Sequence, residues 1–156
     1  MIAEAGVAKA TLYHHFPSKE ALVIAFLERR GQRWTHGWLE VEADRRAARP
    51  QQRALAVFDA LDTWFRRPDY EGCSFINTLL EIRDRDSPVH RETVRHLGVV
   101  REILERYAEQ AGASHPEAGE QLHILLTGSI VSASRGELDA AQRARPLAAA
   151  LLADAR

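Results

Sequence analysis

Cysteine is almost missing from this chain: Cys73 stands alone among 156 residues. An internal disulfide framework is therefore excluded, and a reducing compartment is the natural setting. Long apolar runs are missing too. None approaches the ~20 residues that a membrane span needs. The opening MIAEAGVAKA lacks the basic-then-apolar layout of a secretion signal. The expectation is a soluble, cytoplasmic protein with no membrane partner. Excess charge of one sign is also lacking: 21 Lys and Arg face 22 Asp and Glu, a net charge of -1. A general basic surface is excluded, so any nucleic-acid contact must come from a local patch.

Strand signals, internal repeats and low-complexity stretches are nearly absent. So are the usual signatures of catalysis. The seven histidines are scattered, and the neighbours His14 and His15 point apart on a helix. No metal-ligand spacing and no Gly-rich phosphate loop occur, and no nucleophile stands near a base in sequence. No cofactor and no metal are expected. A helical enzyme remains the weakest of three functional readings, open only through groups brought together in space.

What is present is helical periodicity almost throughout, in a chain that is 46% hydrophobic. The pattern predicts an all-α fold of eight helices, two very short. The first covers about residues 2–5 and stops at Gly6. The second covers about residues 9–15 and ends before Phe16-Pro17, because the residue preceding a proline is pushed out of helical geometry. Ser18 is placed to cap a long helix over about residues 19–43, with Leu27, Trp34, Trp38 and Val41 on one stripe. Arg49-Pro50 begins the next helix, which buries Leu55, Phe58, Leu61 and Phe65. Another begins at Glu71-Gly72. Ser87-Pro88 caps a helix with Thr93, Leu97, Val100, Leu104, Tyr107 and Ala111 on one face, ended by Gly112. Ser114 and Glu117 have capping-box spacing for the helix that ends near Gly136. Asp139 is placed to cap the last, where Pro146 implies a kink or a later start.

A short helix, a glycine turn and a second short helix form the helix-turn-helix layout. Gly6 can adopt the positive φ of a sharp turn. Leu12 and Phe16 face inward, which leaves Lys9, Thr11, Tyr13 and His14 on the outer faces. These residue types suit DNA phosphates and base edges. Lys19, at a helix start, suits a phosphate. The residues alone leave two readings open: a DNA-reading head, or an ordinary amphipathic hairpin.

The string IAEAGVAKATLYHHFPSKEALVIAFL resembles the TetR family signature. Ile2, Ala3, Ala5, Gly6, Val7, Leu12, Tyr13, His15, Phe16, Lys19, Glu20 and Leu22 match it position by position. The segment GCSFINTLLEIRD with the following SPVH resembles a subgroup of the family more loosely. The resemblance implies a helix-turn-helix head followed by a helical-bundle body for ligand binding and dimerisation. The expected division is 1–30 for the partial head and 31–156 for the body. It also implies a ligand-responsive repressor that binds double-stranded operator DNA as a homodimer and is released by a small molecule. Tyr13 and Lys19 then become phosphate contacts, and Lys9, Ala10, Thr11 and His14 face the major groove. His15 and Phe16 become packing residues. Two departures stand out. Ala8 replaces the family's Ser or Thr and cannot cap the recognition helix, a loss of about 1 kcal/mol. The family's first helix ordinarily precedes Ile2, where this sequence has only Met1. An N-terminally truncated head is expected, and with it the second reading: a dimeric ligand-binding body without DNA binding.

An apolar or aromatic effector needs apolar walls with a few polar groups. The candidates are Trp64, Phe65, Phe75, Ile76, Leu79, Val100, Leu104, Tyr107, Leu126 and Ile130, with Asn77 and His96 as polar interruptions. Residue by residue, the ordinary-core reading is the stronger for most of them, and His96 is expected to be partly exposed. Cys73 reads as structural near a helix start in preference to a sensing thiol. The dimer face is expected at Leu125, Gly128, Ser129, Ser132, Ala133, Leu147, Leu151 and Leu152, where small residues admit a partner helix.

Overall fold

The computed structural model describes residues 9–113 and 115–153, and no strand occurs among them. Seven helices are present in the described residues. The helix expected at 2–5, the Gly6 turn and Ala8 lie outside them.

Helix α1 is Lys9–His15. Phe16 N–H still donates to the Leu12 carbonyl at 2.8 Å, and Pro17 then breaks the run. Ser18 caps α2 as expected: its hydroxyl accepts from the Ala21 N–H at 3.1 Å. Helix α2 is composite. It is α-helical over Lys19–Arg30, π-helical over Gly31–Glu40 and α-helical again over Val41–Arg46. The joints at Arg30 and Val41 keep right-handed helical dihedrals, so residues 19–46 form one uninterrupted rod. The π segment is a finding that the periodicity did not announce. Its i→i+5 bonding widens the helix, a geometry that clusters at functional sites. Val41 is 53% exposed and leaves the expected buried stripe. The changed twist of the π segment just before it accounts for the shift.

A 3-10 turn at Pro50–Gln52 leads into α3, Arg53–Phe65. Helix α4 is Ser74–Glu81 and begins later than expected, with Cys73 at its N-cap. Helix α5, Pro88–Gln110, opens on the Ser87 cap, whose hydroxyl accepts from the His90 N–H at 3.1 Å. Helix α6 is Ala118–Ser134 with Glu117 at its N-cap and no side-chain cap bond. The Ser114–Glu117 capping box is therefore not the device that starts this helix, and Ser114 lies outside the described residues. Helix α7 is Ala140–Ala153 and runs through Pro146. A later start is thus overturned. Pro146 has no N–H for the Gln142 carbonyl, and Gln142 is exposed, so water can satisfy that group.

Helix α6 packs between α5 and α7, α7 packs on α3, and α3 packs on the C-terminal part of α2. One core joins them: Phe58, Leu61, Phe65, Phe75, Leu104 and Leu122 are all essentially inaccessible. Buried polar groups inside it are mostly paired. Thr93, fully buried, donates to the Val89 carbonyl at 2.7 Å. The first part of α2 leans on α5. That contact connects the head end of the rod to the body.

Candidate functional site

Two regions carry the candidate residues. The first is α1 and the start of α2. Leu12 and Phe16 are half-buried, while Thr11, Tyr13, His14 and Lys19 are exposed. Tyr13, at 55% exposure, presents most of its ring outward. The sequence KATLYHH contains no carboxylate. Its exposed face therefore offers hydroxyls and imidazoles, although the whole chain is slightly acidic. The side chains of Lys9 and Ala10 lie outside the described set. His15, expected to pack inward, is exposed. Its ring lies edge-on to that of His14, centroids 5.4 Å apart. His15 is three residues beyond Leu12, about 60° round the helix from it, which sets its ring at the outer edge of the inward face.

The base of this head meets the body at a groove of about 440 Å³. Lys19, Glu20 and Val23 of α2 face Ile82, Asp84 and Val89 around the α4–α5 connection.

The second region is a cleft of about 420 Å³ beside the π segment. Trp34 and Trp38 come from α2, and Trp64 from the end of α3. The Trp34 ring lies 5.3 Å from Trp64 and 5.8 Å from Trp38, and Trp38 lies 5.6 Å from Trp64. All three tryptophans of the chain therefore share one wall. Phe26 forms part of the rim. Arg30 and Arg33, from α2, face Arg67, Asp69 and Glu71, from the α3–α4 connection. The Arg67 guanidinium is paired with Asp69 through two bonds of 2.8 Å. That pairing holds the Asp69 carboxyl below the usual carboxylate range. Arg30 and Arg33 make no ion pair with any described residue within 4.0 Å. The Trp34 indole N–H is buried without an acceptor, an arrangement that costs about 1–3 kcal/mol.

Gly72 shapes the floor. Its φ is 81°, and a Cβ there would lie 3.0 Å from the Ser134 hydroxyl. Only glycine combines that backbone with that space. Tyr70 braces the same connection by donating to the Ile130 carbonyl at 2.9 Å.

The expected pocket residues divide. Trp64 and Asn77 line the cleft. Phe65, Phe75, Ile76, Val100, Leu104, Tyr107, Leu126 and Ile130 are buried core, and Leu79 is half-buried outside the cleft. His96 sits elsewhere, beside Gly31 and Thr35 at a second depression. It is 7% exposed, so the expectation of partial exposure is corrected. Its ring stacks on Phe75 at 4.9 Å, and Nε2 lies 3.0 Å from the Glu92 carboxylate. Trp34, Trp38, Arg30 and Arg33 were missed as wall residues. Their only sequence signal is the Trp34/Trp38 spacing, which also fits a core stripe. Cys73 is buried, and burial pushes its thiol up, as for a structural cysteine. No group of three or more His, Cys, Asp and Glu among the described residues is arranged to hold a metal.

Of the expected dimer residues, Gly128 and Leu147 are exposed, and Leu125, Ser132 and Leu151 are half-buried. Ser129, Ala133 and Leu152 are buried within the chain, because those positions turn toward α5 and α3. Ile124 and Val131 are exposed on the same outer stripe of α6 as Gly128. No helix among the described residues is long and apolar enough to cross a membrane.

Residues 2–26 match the family model described as bacterial regulatory proteins, tetR family. No curated protein matches the sequence significantly. Two solved structures share the fold. SCO4454, a TetR-family transcriptional regulator from Streptomyces coelicolor, superposes with a TM-score of 0.87 at 25% identity, over 99% of this chain and 82% of that one. The protein sav143 from Streptomyces avermitilis, ascribed to the same class of regulators, gives 0.84 at 26% identity, over 99% and 84%. The chain is thus similar to TetR-family transcriptional regulators twice over, in the signature at its head and in the arrangement of its whole helical body.

Proposed function

We propose that the protein is a ligand-responsive repressor, a homodimer that grips operator DNA through α1 and lets go when a small molecule fills the tryptophan cleft. Residues 1–30 act as the DNA-binding head and 31–156 as the body. One observation carries the reading: a single continuous helix, α2, starts at the head and bears two of the three tryptophans of the cleft on its π segment. Filling the cleft presses on the same rod that positions α1.

At the head, Tyr13 and Lys19 hold phosphates, while Thr11 and His14, with Lys9 and Ala10, face base edges in the major groove. The exposed, acid-free face of α1 supports these roles. At the body, the effector is a small molecule with a substantial apolar or aromatic part, because the cleft wall is mostly indole. The partner protomer packs along α6 and α7, where Ile124, Gly128 and Val131 are exposed on one stripe of α6 and Leu147 is exposed on α7. Two-fold symmetry sets the heads about one DNA turn (~34 Å) or a multiple apart.

The test is fluorescence anisotropy with DNA flanking the protein's own gene, at rising salt. Specific binding that exceeds binding to scrambled DNA, and that falls linearly in log affinity against log salt, supports the reading. Equal affinity for both DNAs at every salt contradicts it.

A further inference from the structure

We infer that the effector is a monoanion, an aromatic carboxylate or its close equivalent, whose ring lies on the tryptophan wall and whose charge is held by Arg30 and Arg33. The inference rests on the proposed effector role of this cleft and deepens it.

The charge balance of the cleft sets the class. Three arginines face two carboxylates there. Arg67 and Asp69 neutralise each other through their double contact. Arg30 and Arg33 remain, with Arg30 acting on Asp69 only through space and the exposed Glu71 having no cation within 4.0 Å among the described residues. One positive charge is in surplus. Arg30 is half-buried, so part of its hydration is already lost, and a bound anion meets less competition from water there than on an open surface. Guanidinium groups suit carboxylates because planar donors can engage both oxygens.

The apolar requirement is equally specific. Trp38 is half-buried, leaving ring surface at the cleft for a flat partner. Offset or edge contacts between rings favour an aromatic ligand over an aliphatic chain of equal area. A cavity of about 420 Å³ lies within the usual range for a small organic ligand, roughly 300–1,000 Å³.

The probes are biphenyl-4-carboxylate, its neutral isostere biphenyl-4-carboxamide, and cationic biphenyl-4-methylamine, titrated calorimetrically into the full chain at pH 7. The carboxylate is expected to bind at least about tenfold tighter than the amide, with the amine weakest. The double variant Arg30→Gln/Arg33→Gln is expected to bind carboxylate and amide equally, with an unchanged near-UV circular dichroism spectrum certifying an intact tryptophan wall. Trp38→Ala is expected to weaken both. If the amide binds as tightly as the carboxylate, and Trp38→Ala weakens it, the anion inference is overturned while the cleft stands. A charge preference that survives in the double variant overturns the assignment to Arg30 and Arg33. If no probe binds, or Trp38→Ala changes nothing, the cleft reading itself falls and the anion inference with it.

Discussion

The indole rings of Trp34 and Trp64 lie 5.3 Å apart and tilted by 53°, locking the π segment of α2 to the end of α3. Trp64 also meets Phe65 and Tyr70, the latter edge-on at 4.9 Å. Trp64→Ala is therefore expected to cost about 3–5 kcal/mol, the usual range for removing a buried aromatic. Trp38, only half-buried, is expected to cost clearly less. Urea denaturation of both variants checks this. Equal losses would mean that Trp38 is structural and does not serve chiefly as a ligand wall.

Gly119 marks the crossing of α5 and α6. A Cβ at that position would lie 2.4 Å from Glu105 Cα, a backbone atom with no room to yield. Gly119→Ala is expected to destabilise by about 1–3 kcal/mol through forced helix separation, read as a lower Tm. An unchanged Tm contradicts the close approach.

Gly128 gives the opposite case, since an added Cβ there meets nothing within 4 Å in the single chain. In an isolated protomer Gly128→Ala gains about 1 kcal/mol of helix propensity. In the proposed dimer it holds two helices apart. Sedimentation across a concentration series is expected to show weaker dimerisation. A variant that dimerises as before, with a raised Tm, contradicts the proposed interface.

Burial lowers the affinity of His96 for a proton, with Arg95 assisting and Glu92 and Glu28 opposing. The unfolded chain, with an ordinary histidine near pH 6.5, then binds the proton more readily than the folded one. Stability contributed by neutral His96 is full above about pH 6.5 and declines as pH falls below it. His123, also lowered first by burial, adds a decline of the same sign. Denaturation midpoints between pH 7.5 and 5.5 are expected to fall for the wild type and to fall less for His96→Gln. Parallel slopes in the two proteins contradict the assignment.

Much of the fold was legible because its signals are local. Ser18, Ser87-Pro88 and Gly112 each act within one helical turn, and each marks the boundary expected of it. The π segment was not legible, since Gly31–Glu40 has no local residue that demands i→i+5 bonding. The cleft was only partly so. Trp34 and Trp38 satisfy a core stripe and a ligand wall equally well. What separates the two is the approach of Arg67 and Gly72 from a distant connection. The same limit applies to Ser129 and Ala133. Small size suggests an interface, but only the packing of α5 and α7 decides which small residues stay covered.

Within the head, Lys19→Ala and Tyr13→Phe are expected to weaken DNA binding across all sequences, with Lys19→Ala reducing the salt slope by about one. Thr11→Ala and His14→Ala are expected instead to change which sequences are preferred. Competition binding against a panel of single-base variants separates the two effects. A uniform loss for all four changes contradicts the division into phosphate and base contacts.

The most direct test of the central claim is selection of DNA by the full chain from a random library. The expected winner is an inverted repeat with half-site centres about 34 Å or a multiple apart, and its enrichment vanishes in a Thr11→Ala/His14→Ala variant. Recovery of no common sequence, or of one that the variant selects just as well, contradicts DNA reading by α1.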